Sequence, residues 1–223
     1  MDNSEQVVLV HGLGGRPFEW WPLHRRLSAR GYQVRKWAYR SVGTRIEQHV
    51  LRLTEVLTQI DRRSRGSRFH LVTHSLGGIV VQALLGRSRF ENLGRVVMLA
   101  PPHRGSHIAR RLAPYLGWLV PALSQLSDAP ESFVNRLPNP FLEHNIELGI
   151  VAAVRDRVIA PAAVQIAGAR DMAWVDGHHG LLPWYSDTIR LVEQFLTSGS
   201  FSCRNAEYRL DRWQPDEKLA ASR

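Results

Sequence analysis

His70-Leu71-Val72-Thr73-His74-Ser75-Leu76-Gly77-Gly78-Ile79-Val80-Val81 begins as a buried strand and continues as an apolar helix. A join of that kind needs at most one glycine and a capping residue, yet a serine and two glycines stand there. Ser75 therefore reads in two ways: as the N-cap of the helix, or as a nucleophile on a tight strand-to-helix turn. In the second reading the turn strains the serine backbone and lifts Oγ clear at the carboxyl edge of the sheet. The residues two before and two after it must then be small, because the strand and helix backbones nearly touch. Gly77 meets that demand; Thr73 departs from it with β-branched bulk.

A second glycine cluster follows the first apolar run, in Val8-Leu9-Val10-His11-Gly12-Leu13-Gly14-Gly15. Acyl transfer needs two backbone N–H donors aimed where the tetrahedral oxyanion develops. Leu76, just after the serine, would supply one and Leu13 the other, with Gly12 letting the backbone come close. The competing reading is a dinucleotide loop. It requires a third glycine where Pro17 stands and an acidic residue ending the second strand near position 39, and neither is present.

A nucleophilic serine also needs a base and a group to orient it, in the chain order nucleophile, acid, histidine. Val151-Ala152-Ala153-Val154-Arg155-Asp156-Arg157-Val158 ends a buried strand with an aspartate at its carboxyl end. An ion pair with Arg155 or Arg157 is the plain alternative for Asp156. Asp171, expected in a turn, and Asp176, close to the histidines, are weaker candidates. Asp176-Gly177-His178-His179-Gly180-Leu181-Leu182 is a glycine-flanked loop able to present an imidazole across the top of the sheet. The other eight histidines suit surface or packing roles better, with His11 and His74 expected to pack beside the two motifs.

Along the chain, apolar runs and helical periods alternate. Strands are expected at 6–10, 32–39, 70–73, 95–100 and 150–154. Helices are expected over 18–30, 44–60, about 77–85 and 184–196. Strands alternating with helices predict right-handed crossovers on a mainly parallel sheet, a three-layer α/β architecture with helices on both faces. Residues 101–145 break the rhythm: the stretch is long, proline-rich and locally apolar. Residues 202–223 form a polar, charged tail expected to be peripheral, leaving 1–201 as the domain.

The 223 residues, 44% hydrophobic, suffice for one domain with a sizeable core. Lys and Arg number 29 against 20 Asp and Glu, a net charge of +9. The basic residues are scattered and not interleaved with aromatics, so no nucleic-acid partner is expected; a weak preference for anionic membrane surfaces is. The lone Cys203 leaves no internal disulfide and fits a reducing compartment. With no signal peptide in the polar start and no apolar run of membrane-spanning length, a cytoplasmic protein is expected. No metal and no cofactor are expected.

The segments Val7-to-Gly15, Leu71-to-Gly78, Val151-to-Val158 and Gly177-to-Leu182 together resemble serine hydrolases of the α/β-hydrolase fold. Val96-Val97-Met98-Leu99-Ala100-Pro101-Pro102-His103-Arg104-Gly105-Ser106 is similar to a lipase-like segment. The likeness is greatest to small bacterial lipase- and esterase-like members and covers residues 7 to 201. It implies Ser75 as nucleophile, Asp156 as orienting acid and His178 as general base, with His179 the fallback. The implied activity is hydrolysis of a small-molecule or lipid ester through an acyl-enzyme, with the Leu13 and Leu76 amides binding the oxyanion. Thioester, amide or acyl-transfer chemistry on the same triad stays open, as does an inactive binding protein. The excursion, about 104–145, lies where this fold inserts a lid; Leu112, Leu116, Trp118, Leu119 and Val120 are expected to form an apolar face above Ser75.

Overall fold

A computed structural model describes residues 4–64 and 66–201. Six strands form one parallel sheet in the order β2-β1-β3-β4-β5-β6. They are β1 (Gln6–Val10), β2 (Gln33–Trp37), β3 (Phe69–His74), β4 (Leu93–Leu99), β5 (Leu148–Ala153) and β6 (Asp171–Val175). The inner strands read as continuous apolar runs because both of their faces are covered.

Alternate residues of each strand serve opposite faces, and the core divides accordingly. Val8, Val10, Leu71, Met98 and Ile150 pack under α2 (Ile46–Arg63) and α3 (Leu76–Leu85). Val7, Leu9, Val72, Val97 and Val151 pack against α1 (Trp21–Ser28) and α8 (Ser186–Ser198). In α2 the buried stripe Ile46, Val50, Leu53, Leu57 and Ile60 keeps the helical period. Each such side chain contributes about 1.5–3 kcal/mol by leaving water.

The strand order decides where a site can form. The chain runs from β1 outward to β2, then returns past β1 to lay down β3 on its other side. The connections that follow β1 and β3 therefore part to opposite faces, leaving a crevice at the carboxyl ends of those two strands. Register pairs Val10 with Thr73, so His11-Gly12 and His74-Ser75 emerge there side by side.

Residues 101–145 fold as α4 (His107–Leu116), α5 (Ala122–Gln125), a 3-10 turn at Val134–Arg136 and α6 (Pro140–Glu143). Polar clamps hold the segment down. Ser106 Oγ donates to the Val158 carbonyl at 2.7 Å and accepts the Ala109 amide as the cap of α4. Gln125 accepts the Ile46 amide at 2.8 Å, satisfying a free donor at the start of α2. His103 is buried with Nδ1 2.7 Å from Gln82 Oε1, and burial pushes its pKa down to about 3. Trp118 is 82% exposed and Tyr115 75%, so these rings point to solvent.

One correction concerns Asp171, expected in a turn. It opens β6, accepting the Met172 amide on Oδ1 and the Phe201 amide on Oδ2. This edge strand is only half-buried, and its apolar run, Met172–Val175, is short. A short α7 (Pro161–Val164) lies between β5 and β6.

Candidate active site

Ser75 stands between β3 and α3 with φ +50° and ψ −120°, a conformation that β-carbons disfavour. Strain of this kind persists only where the surroundings enforce it. Here the Ser75 amide donates to the Leu99 carbonyl at 2.9 Å. The hydroxyl makes no capping bond to α3, so the cap reading of Ser75 fails. The two glycines have separate reasons. A β-carbon on Gly77 would lie 2.5 Å from the Val10 carbonyl oxygen, so only glycine lets α3 start against β1. A β-carbon on Gly78 would meet Pro101 at 3.0 Å and Thr73 Oγ1 at 3.3 Å. That missing side chain makes room for the threonine.

The Gly12 loop folds over the serine: a β-carbon on Gly12 would lie 3.1 Å from Ser75 Cβ. Tyr39 Oη donates to the His11 carbonyl at 2.6 Å, and the Gly14 amide donates to Ser41 Oγ at 2.9 Å. Both sides of Leu13 are thereby held. Leu76 begins α3, where a helix leaves its amides without intrahelical acceptors.

On the other side of Ser75 lies an imidazole. His179 Nε2 is 2.9 Å from Ser75 Oγ, and His179 Nδ1 is 2.7 Å from Asp156 Oδ2. Asp156 Oδ1 accepts the amides of Val158 and Ile159 at 2.8 and 2.9 Å. A carboxylate so fixed takes the Nδ1 hydrogen, which leaves the Nε2 lone pair facing the hydroxyl. Asp156 and His179 are largely shielded from solvent, which strengthens their interaction.

His178 does not reach the serine. It is exposed, and its amide donates to Tyr185 Oη at 3.1 Å. The reason is alternation: Val175 is inward, Asp176 outward, Gly177 inward, His178 outward and His179 inward again. Gly177 is pressed against the Tyr185 ring, which pins this phase. The other carboxylates are engaged elsewhere, Asp176 with Arg155 at 3.0 Å and Asp171 with β6 and Phe201. Asp156 forms no ion pair with either neighbouring arginine.

The alpha/beta hydrolase family model matches residues 7–218. The chain belongs to the alpha/beta hydrolase family. The match runs past Phe201 into residues outside the described ones. No curated protein matches the chain in sequence. Among solved structures it is similar to the mature Bacillus licheniformis lipase BlEst2, at 18% identity over 87% of this chain and 92% of that one, TM-score 0.64. It is also similar to the Pyrococcus furiosus esterase Pf2001, at 17% identity over 88% and 82%, TM-score 0.62. A third likeness is to a carboxylesterase structure from the thaumarchaeon Nitrososphaera gargenis, at 13% identity over 89% and 92%, TM-score 0.61.

For this hydrolase, the sequence left two polar neighbours of the site unassigned. The sequence assigns His74 only a packing role beside the serine and gives Glu19 none. The structure joins them at 3.2 Å beside His179. No spacing rule links Glu19 to His74, which are brought together only by the β1–β3 pairing. Among the described residues, no three His, Cys, Asp or Glu side chains gather as a metal site. No helix among them is long and apolar enough to cross a membrane.

Proposed function

We propose that this alpha/beta hydrolase is a serine-dependent carboxylic-ester hydrolase. The observation that supports the reading best is the continuous chain from Asp156 through His179 to Ser75 Oγ, with contacts of 2.7 and 2.9 Å. Ser75 Oγ attacks the ester carbonyl while His179 Nε2 takes its proton. Asp156 holds the tautomer and balances the imidazolium that forms. The oxyanion settles toward the Leu13 and Leu76 amides. The carbonyl re-forms, the alkoxide leaves with the proton from His179, and Ser75 carries the acyl group. Water, deprotonated by His179, then attacks that acyl group and restores the serine. The steps draw only on protein groups and water.

For the substrate's apolar part, support comes from beside His179. Leu181 and Trp184 belong to the 3-10 turn His179–Trp184, and Phe18 packs on Trp184 with ring centroids 5.4 Å apart. All three are exposed, and they would receive an acyl or alcohol chain. Leu119 lies over the loop after β2, its carbonyl 4.0 Å from the place of a Gly43 β-carbon. Exposed arginines 16, 40, 104, 111 and 157 follow the carboxyl ends of strands and have no carboxylate partner among the described residues. They support the weaker reading of contact with an anionic lipid surface. The lone Cys203 supports a reducing, cytoplasmic compartment.

The test is turnover of a matched panel of ester, thioester and amide substrates by wild type and Ser75→Ala. Ester hydrolysis that disappears in the variant is the expected result. Preference for a thioester or amide would reassign the leaving group, and a folded wild type inert on the whole panel would favour a binding protein.

A further inference from the structure

His74, the last residue of β3, is buried, and both its ring nitrogens are occupied. Nε2 lies 3.0 Å from the His179 carbonyl oxygen, and Nδ1 lies 3.2 Å from Glu19 Oε1. A carbonyl oxygen can only accept, so Nε2 carries a hydrogen. An ionised carboxylate can also only accept, so Nδ1 needs one too. The ring is then an imidazolium paired with Glu19, or the same proton sits on Glu19 and is donated to Nδ1. Either way the pair holds one proton between them, and the contact with Glu19 depends on it.

The pair lies against both the base and the oxyanion loop. On one side it grips the backbone of His179, whose ring lies 5.2 Å from that of His74. On the other, Glu19 follows the Gly12–Gly15 loop directly. A side chain at Gly15 would collide with the Glu19 carboxylate and lie 3.1 Å from His11 Nδ1. Asp156 fixes the ring of His179 but leaves its backbone free. We propose that Glu19 and His74 are positioning residues, a proton-sharing brace that holds the His179 backbone and the oxyanion loop in register with Ser75. The proposal rests on the hydrolase reading for its kinetic consequence, though not for the proton sharing itself.

The groups facing the brace are few. Tyr39 lies beside Glu19, and burial together with that carboxylate raises its hydroxyl pKa above the usual value. Trp20 meets the His74 ring edge-on at 6.5 Å. His11 flanks the glycine loop, and Asp156 stands behind His179. Among the described residues Glu19 has no ion pair except the one with His74. Loss of the shared proton therefore sets a carboxylate against an imidazole lone pair and loosens the brace.

The experiment has two arms. In the first, NMR follows the His74 ring nitrogens and the Glu19 carboxyl carbon of wild type against pH. Joint titration in one step, absent in Glu19→Gln, is expected; two independent titrations would overturn the shared proton. In the second, kcat and KM are measured against pH on a turned-over ester. Glu19→Ala and His74→Phe should lose about 10- to 100-fold in kcat with little change in KM, as expected for a misplaced base. Glu19→Gln should recover most of that loss and flatten the pH profile, because its amide N–H can donate to a neutral His74 that still reaches the carbonyl. Equal losses in Glu19→Gln and Glu19→Ala at every pH would reduce the pair to ordinary packing. Joint titration in a protein that turns over no ester would instead remove the hydrolase reading and leave the brace standing.

Discussion

Two of the histidine–carboxylate pairs in this molecule lie at opposite ends of the same sheet's strands. At the carboxyl edge, His179 meets Asp156 at 2.7 Å; at the amino edge, His70 meets Glu5 at 3.2 Å. The pairs differ in what the second nitrogen does. His70 Nδ1 accepts the Arg95 amide at 2.8 Å, which locks a neutral ring between β3 and β4. Burial, opposed by Glu5, lowers its pKa. His179 Nε2 instead faces the Ser75 hydroxyl. A histidine–carboxylate contact is thus structural when the lone pair is spent on backbone, and suited to proton transfer when it is left for a hydroxyl.

The sharpest way to break that contrast is to remove each partner and read rate and stability separately. Ser75→Ala and His179→Ala should each lower kcat by roughly 10⁴-fold or more while the protein stays folded. Asp156→Asn should cost about 10³- to 10⁴-fold, since the asparagine would favour the wrong imidazole tautomer. His70→Leu should do the reverse. It strands the Arg95 amide and lowers stability by about 1–3 kcal/mol, read by urea denaturation, while kcat stays put.

A smaller effect tests burial without any carboxylate. His103 stays neutral in the folded protein down to about pH 3 but takes a proton near 6.5 once unfolded. Its neutral burial costs nothing above pH 6.5 and is increasingly penalised as the pH falls from 6.5 toward 3. The contribution to the slope is about 1.4 kcal/mol per pH unit. His49, lowered to about 4 by burial, acts in the same direction. Denaturation curves at pH 7, 5.5 and 4.5 should show a shallower acid loss for His103→Gln than for wild type.

Much of this was legible from sequence because its cause is local. Gly77 and Ser75 mark a turn whose backbone crowding is written in the residues themselves, and Val151–Ala153 announce a strand that leads to Asp156. The histidine was harder. His178 and His179 are equivalent until the phase of the preceding strand is known, and β6 was hidden by its half-buried edge position. With β6 in place, counting by twos from Val175 brings His179 inward. The Glu19–His74 contact had no local signal at all, since it depends on a turn after β1 folding across the end of β3. The apolar stripe of residues 112–120 does not say which of its members face water, and the rings of Tyr115 and Trp118 do.

The base assignment is tested most directly by covalent labelling with a fluorophosphonate, comparing wild type, His178→Ala and His179→Ala and locating the adduct by mass spectrometry. Modification at Ser75 at an undiminished rate in His178→Ala, and its near-loss in His179→Ala, is the expected result. Normal labelling without His179, or loss of labelling without His178, would contradict the relay.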